Sequence, residues 1–478
     1  MNLRRVVHIL GLVLWILAGA QAIPLIWSAS LGDEAALRGF LAGVATCAAV
    51  GTGFRLVGTA SGDLFRREGV LIVVGAWVIA SFAGAIPYVM SGVLPNVFDA
   101  LFESTSGFTT TGATTLTHIE AAGRPMLFWR SFTQWLGGIG IVVLFVALLS
   151  ELGPGARFLF KLEVPGPKAE VLHARVRDTA IALAQIYLVL TVAEVVALLI
   201  AGLGLYDALT HTFSTIATGG FSPHSASMGR FSDGIQGIIL VFMILGGINF
   251  SLYLTFVRAR EFGVFNDAEL RCYALLLGVG TLIIGIDLMA HGHESHALLD
   301  AAFQVVSITT TTGFSTVDFS EWPSVSRALL MVLMVFGACA GSTSGGAKIV
   351  RAIVAWRAAI REVRLTFSPN SVIAVTVGRS AVPEESVRSV VALLILWAIA
   401  FCIGTLALSI GTPHLVTAAS ASLATVSNIG PGLAAVGPLA DYSLFADWQK
   451  VLMVVLMWLG RLEFFALLAL FQISFWRR

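Results

Sequence analysis

Charge is scarce in this sequence. Asp, Glu, Lys and Arg make up 12% of its 478 residues, about half the ~25% of a soluble domain, which excludes an ordinary soluble fold. Charge of one sign is missing too: 29 basic residues face 28 acidic ones, and a net charge of +1 gives no field suited to nucleic acid. Cysteine is limited to four residues. Cys47, Cys272, Cys339 and Cys402 lie in or beside apolar runs, with neither a disulfide framework nor metal-ligand spacing. Apolar residues, by contrast, reach 57%, mean hydropathy is +0.88, and glycine numbers 48. That combination describes a polytopic membrane protein with close helix packing or irregular backbone at depth.

Apolar runs near 6–28, 37–60, 69–92, 126–150, 179–204, 232–257, 272–291, 325–350, 388–411 and 446–475 are long enough for a hydrocarbon core of about 30 Å. Gly51, Gly53 and Arg55 interrupt the second. Arg4, Arg5 and a closing Ala20-Gln21-Ala22 give the first a signal-peptide look, but its apolar stretch continues through Trp27, so it is read as a retained helix. With the N-terminus in the cytoplasm, 22 Lys/Arg fall on the cytoplasmic side. Six (Arg38, Arg124, Arg130, Arg230, Arg327 and Lys450) fall outside or near the outer surface, and one, Arg461, sits inside an apolar run. Both termini are thus expected in the cytoplasm. The cytoplasmic stretches 153–177 and 361–387 are too short for domains, so any nucleotide-driven motor or regulator is expected on another chain.

Four segments too short to span and too rich in Thr, Ser and Gly for plain loops repeat one pattern. Asp99-Ala100-Leu101-Phe102 leads to Thr109-Thr110-Thr111-Gly112-Ala113, and Asp207-Ala208-Leu209-Thr210 leads to Ala217-Thr218-Gly219-Gly220-Phe221. Asp300-Ala301-Ala302-Phe303 leads to Thr310-Thr311-Thr312-Gly313-Phe314, and Thr417-Ala418-Ala419-Ser420 to Ser427-Asn428-Ile429-Gly430-Pro431. From the opening residue to Gly112, Gly219, Gly313 and Gly430 the spacing is 13, 12, 13 and 13. One such stretch would be a polar turn. Four at matched depth on the outer side, each after an apolar half-helix, predict re-entrant segments lining a cavity. Backbone carbonyls there can replace a cation's hydration shell, glycine lets the backbone approach an axis, and four helix C-termini favour a cation over an anion.

Two features lie deeper. The run from Ser324 to Arg364 would extend roughly 60 Å as one helix, twice the hydrocarbon core. In its middle stand Gly337, Gly341, Ser342, Thr343, Ser344, Gly345, Gly346 and Lys348. These residues suit a broken helix whose loop crosses a pore as a gate. The Gly337, Gly341, Gly345 spacing equally suits helix packing, and the residues alone leave both open. Arg461 is costly at depth, should face the bundle interior, and cannot meet Glu463 on one helix because positions two apart diverge. Gly137-Gly138 and Gly246-Gly247 hold the corresponding places in other repeats, so Arg461 is read as a fixed positive charge beneath the turns that anchors the gate.

On these turns the chain resembles the Trk/Ktr/HKT superfamily of potassium transporters, in its TrkH type, along its whole length. The resemblance implies an all-α polytopic membrane protein of four fused potassium-channel-like repeats around one pore, each a helix, a pore helix and a second helix. It places two additional helices at 1–60 and the repeats at 61–160, 161–262, 263–370 and 371–478. It implies a potassium filter at Thr110, Thr111 and Gly112; Ala217, Thr218 and Gly219; Thr311, Thr312 and Gly313; and Asn428, Ile429 and Gly430. Asn428-Ile429 departs from the Thr-Thr of the other copies, which removes true fourfold equivalence there. The resemblance favours the loop reading of 337–348 and supplies a basic residue at the place of Arg461. It further implies a bacterial inner-membrane homodimer, no covalent cofactor, potassium as the substrate, and a cytosolic regulatory subunit that binds the nucleotide (NAD or ATP/ADP).

Other classes find less support. Alternating access, with potassium coupled to protons or sodium, would suit inverted repeats, whereas these four share one orientation. An intramembrane enzyme would need convergent acid–base groups, and Glu194 and Asp287 read as isolated. His291, His293, Glu294 and His296 lack metal-motif spacing, and Gly341–Gly345 lacks a serine-hydrolase elbow.

Overall fold

A computed structural model describes residues 1–61, 64–151, 172–259, 265–292, 295–378 and 380–476. Most of the stretch 153–177, with Arg157, Lys161 and Lys168, lies outside them, as do Arg260, His293, Glu294, Arg477 and Arg478.

Helices α1 (Leu3–Leu31) and α2 (Glu34–Val57) form a hairpin. Gly32 turns the chain at φ +68° and the Asp33 carboxylate caps α2 by accepting the Ala36 N–H at 3.0 Å. The two helices touch at Gly11 and Gly51, where a Cβ on either would lie 2.8–3.0 Å from the other's carbonyl oxygen.

Four units follow, each a long helix, a half-helix, a turn and a returning helix. They are α3 (Arg66–Ser91), α4 (Val97–Phe108) and α5 (Arg124–Glu151); α6 (Leu172–Ile200), α7 (Leu205–Ile216), α8 (Asp233–Gly246) and α9 (Phe250–Ala259); α10 (Ala268–Ala290), α11 (Ala297–Thr309), α12 (Ser324–Phe336) and α13 (Ile349–Phe367); and α14 (Glu384–Leu408), α15 (Leu415–Ser427) and α16 (Asp447–Arg461) with the short α17 (Phe465–Ala469) and α18 (Ile473–Trp476). The half-helices α4, α7, α11 and α15 have 12, 12, 13 and 13 residues, a rise of roughly 18–20 Å that cannot cross the membrane. Among the described residues six helices are long and apolar enough to cross, or seven if the bent α8–α9 pair is one span.

Three of the apolar runs are not continuous helices. The run 232–257 bends by 88° between α8 and α9, where Gly246 and Gly247 weaken the ladder. The run 325–350 leaves the helix after Phe336 and resumes at Ile349. The run 446–475 stops after Arg461, with Glu463 and Phe464 at φ +54° and +61°.

The solvation pattern is inverted relative to a soluble protein. Glu103, Glu194 and Gln304 are fully buried, whereas Ile200, Leu406 and Ile26 are 83%, 72% and 70% exposed on outward helix faces. That arrangement suits lipid outside and polar groups turned to the bundle interior. One departure from helix among the described residues is a small antiparallel ladder of β1 (Thr376–Val377) and β2 (Ser380–Ala381). Val375 and Val382 pack there with Val354, Val387 and Val390, and Arg361 holds Glu384 at 2.6 Å.

Candidate ion pathway

All four half-helices end in the same backbone motif. The amides of Thr111, Gly219, Thr312 and Ile429 donate to the carbonyls of Ser106, Ser214, Ser307 and Ala424 at 2.8, 2.8, 2.9 and 3.0 Å. One residue earlier, Thr110, Thr218, Thr311 and Asn428 take φ of +53°, +53°, +59° and +55° and donate to the carbonyl three residues back. This is a Schellman ending, whose left-handed position normally falls to glycine. A β-branched residue there is strained, and three of four copies carry Thr. Thr109 and Thr111 share a hydroxyl hydrogen bond of 2.7 Å, matched by Thr310 and Thr312 at 2.8 Å. Asn428 keeps the fourth backbone equivalent to the others while its side chain departs, donating to the Thr111 hydroxyl at 2.9 Å and the Met457 carbonyl at 3.1 Å. Fourfold equivalence is therefore lost in the side chains of this repeat but retained in its backbone.

Two residues after each strained position comes a left-handed glycine: Gly112, Gly220, Gly313 and Gly430, at φ +85°, +76°, +82° and +95°. These glycines close a ring. A Cβ on Gly112 would strike the Gly219 carbonyl oxygen, one on Gly220 that of Thr312, and one on Gly313 that of Ile429. A Cβ on Gly430 would lie 2.7 Å from the Thr111 oxygen, returning to the first repeat. The equivalent of Gly112 in the second repeat is thus Gly220, and Gly219 matches Thr111. The same register removes the odd spacing, since Asp207 to Gly220 is 13 residues; that anomaly was the sequence signal for it. Gly112, Gly220, Gly313 and Gly430 also line one vestibule.

The register yields a test. Serine at Gly220 is expected to disturb ion selectivity as serine at Gly112 does. Alanine at Gly219 would meet the buried Gln134 carboxamide rather than backbone, so its effect on the potassium-to-sodium flux ratio should be clearly smaller than that of serine at Gly220. Equal effects at both positions would return the second filter to the Gly219 register.

Beneath the turns lies the stretch between α12 and α13. Gly337, Gly341 and Gly346 have φ of +69°, +70° and +74°, and Lys348 +69°. Gly345 N–H donates to the Thr311 hydroxyl at 2.7 Å, the Thr343 hydroxyl donates to the Ile216 carbonyl at 2.9 Å, and a Cβ on Gly345 would strike the Ser427 carbonyl oxygen. The loop therefore abuts the turns of the second, third and fourth repeats from below. It also bonds the break in the second repeat: Cys339 N–H donates to the Gly247 carbonyl at 3.1 Å, and Phe250 N–H to the Gly341 carbonyl at 3.0 Å. Lys348 folds back to donate to the carbonyl of Ser344, and its hydroxyl lies 3.0 Å from the ammonium. Arg461 donates through Nη1 to the Thr343 carbonyl at 2.8 Å and is 4% exposed. Glu463 pairs with Arg351 instead, at 2.6 Å.

The geometry has relatives. The model of TrkH, a cation transport protein, matches residues 37–476. The chain belongs to the TrkH family. It is 37% identical to the Trk system potassium uptake protein TrkH of Escherichia coli and 38% identical to that of Halomonas elongata, covering 100% of both chains in each comparison. TrkG of Escherichia coli is 32% identical, with 100% and 99% coverage. The crystal structure of the potassium transporter TrkH from Vibrio parahaemolyticus superposes with a TM-score of 0.90 at 35% identity, covering 100% of both chains.

The TrkH-family pathway here also uses residues that sequence reading passed over. Arg130, placed near the outer surface by loop counting, is 2% exposed and pairs with fully buried Glu103 at 2.5 Å. Glu103 accepts from the Thr114 hydroxyl at 3.0 Å and the Thr115 N–H at 2.9 Å, while Arg130 donates to the Ser222 carbonyl at 2.9 Å. The pair thereby staples the first half-helix to the segments that follow the first two turns. A charge inside the apolar run 126–150 and another inside an apolar half-helix were the available signal. Gln134 donates to the Gly219 carbonyl at 2.6 Å and Tyr442 to that of Gly430 at 2.7 Å. Lys450, likewise counted outside, is 4% exposed and pairs with Asp99 at 2.5 Å, joining the fourth repeat to the first. Arg130→Ala would leave a buried carboxylate uncompensated and is expected to cost about 3–5 kcal/mol, read as a large fall in the thermal midpoint of the purified protein.

The remaining acids and histidines have local roles. Asp287 accepts from Ser326 Oγ at 2.5 Å and lies 3.5 Å from His291, so it is not isolated. His296 sits 3.6 Å from Asp233. Among the described residues no group of three such side chains could hold a metal ion.

Proposed function

We propose that this chain is the pore-forming subunit of a potassium uptake system and passes potassium through the ring of four turns. The closed chain of contacts from Gly112 through Gly220, Gly313 and Gly430 carries this reading, because it sets four equivalent stretches of backbone around one axis. The names of the curated relatives support potassium as the ion. The proposed filter is Thr110, Thr111 and Gly112; Thr218, Gly219 and Gly220, preceded by Ala217; Thr311, Thr312 and Gly313; and Asn428, Ile429 and Gly430. Carbonyls replace the hydration shell there without any side-chain charge.

The loop 337–348 is proposed as the gate and Arg461 as its anchor. An ion leaving the filter meets a plug hydrogen-bonded to two of the four turns and packed close against a third, with a buried guanidinium beside it. The chain is further proposed to lie in a bacterial inner membrane with both termini cytoplasmic, in repeats at 61–160, 161–262, 263–370 and 371–478 after the helices of 1–60. It would act as a homodimer under a cytosolic regulatory subunit that carries the nucleotide, no cofactor being covalently bound to this chain.

Potassium flux in a cell stripped of its own uptake systems tests the function. Uptake should follow membrane potential, about 2.3 kcal/mol per charge per 100 mV. Uptake that requires a sodium or proton gradient at fixed potential would replace the pore with a coupled carrier.

A further inference from the structure

Glu269 has no place in the filter or in the gate as described so far. It is the second residue of α10, 5% exposed, and its Oε1 accepts two backbone N–H groups: Ala340 at 2.8 Å and Val350 at 3.1 Å. Ala340 lies just before Gly341, where the loop turns beneath the filters, and Val350 lies just after Lys348. One oxygen thus fastens both feet of the loop. Glu269 is itself held, because Asp267 caps α10 by accepting the N–H groups of Glu269 and Leu270 at 2.9 Å each. A carboxylate in the first turn of a helix is also favoured by the helix dipole.

The contacts divide by position. Thr343 and Gly345 tie the tip of the loop to the turns above, whereas Glu269 ties its feet to the start of α10. That end of α10 follows the segment joining the second and third repeats, on the side the basic residues place in the cytoplasm. We infer that Glu269 is the positioning residue of the gate, the latch through which displacement of the cytoplasmic end of α10 is passed to both feet of the loop. The inference rests on the gate reading of 337–348.

Four variants, assayed for potassium flux in proteoliposomes of purified full-length protein without any regulator, test it. Glu269→Ala removes both hydrogen bonds and should raise flux about fivefold, the population change expected when two bonds holding one state are lost. Glu269→Gln keeps one acceptor oxygen able to receive both N–H groups, and should stay within about twofold of the unmodified protein. Val350→Pro removes one donor without touching Glu269. Proline is tolerated in a first helical turn, so flux should rise even if Glu269→Ala fails to assemble. Deletion of 341–346 is the control for the gate itself. High flux in the deletion with no change in Glu269→Ala, or in Val350→Pro where the alanine variant does not assemble, would overturn the latch and leave the gate standing. Equal rises in Glu269→Ala and Glu269→Gln would also overturn it, because charge rather than the paired hydrogen bonds would then matter. No rise in any variant, the deletion included, would overturn the gate reading and the latch with it.

Discussion

Serine in place of Gly112 is expected to lower the potassium-to-sodium flux ratio roughly tenfold or more, equivalent to about 1.4 kcal/mol of discrimination. Gly112 sits at φ +85°, and a Cβ there would strike the Gly219 carbonyl oxygen. Either that oxygen leaves the ring or the Gly112 backbone abandons its left-handed conformation, which costs a non-glycine residue roughly 1–2 kcal/mol. Both outcomes change the number or spacing of the carbonyls on which selection by ligand geometry depends. The expected effects are graded. Serine at Gly220 or Gly313 meets the same obstruction, whereas at Gly430 the nearest oxygen, that of Thr111, lies at 2.7 Å and can yield more easily. Paired potassium and sodium fluxes measure the effect. An unchanged ratio in folded Gly112→Ser protein would remove the filter from these turns.

Deleting 341–346 is expected to raise potassium flux by at least about tenfold in the absence of a regulator, since a plugged state favoured by more than about 1.4 kcal/mol is populated over tenfold. The deletion removes Thr343 and Gly345, and with them the bonds to Ile216 and Thr311 and the Arg461 contact to the Thr343 carbonyl. Arg461 would then be the remaining obstacle. Combining the deletion with Arg461→Ala should raise flux further, because a fixed positive charge opposes a cation in a low-dielectric path. A folded deletion protein with unmodified or lower flux would show that the loop does not obstruct the pathway.

Much of this was legible in the chain. Twelve per cent charge and the long apolar runs required a membrane protein. The recurrence of an apolar half-helix followed by Thr-rich turn and Gly disclosed four units, and the glycine density around 337–346 marked where a helix would break. What stayed hidden has identifiable reasons. Left-handed Thr110, Thr218 and Thr311 could not be read because local rules place glycine there, and only the packed ring holds threonine in that conformation. The helix ending at Arg461 has Gly460 in its last turn, but the left-handed positions fall on Glu463 and Phe464, neither a glycine; Glu463 is drawn to Arg351, more than a hundred residues away in the chain.

Composition and repetition by themselves determined the membrane class, the number of units and the residue types at the turns, because these follow from transfer energies and from counting along one chain. Tertiary structure decided which glycine of Gly219-Gly220 enters the ring, which the odd spacing only hinted at, which charges are buried, and what holds the loop. Each of those depends on groups well separated along the chain meeting in the fold: Gly220 on the Thr312 carbonyl, Arg130 on Glu103 and Ser222, Glu269 on Ala340 and Val350. Arg130 shows the difference most simply. Position along the chain made it an outer-surface charge, and a carboxylate 2.5 Å away made it part of the buried scaffold beside the first two turns.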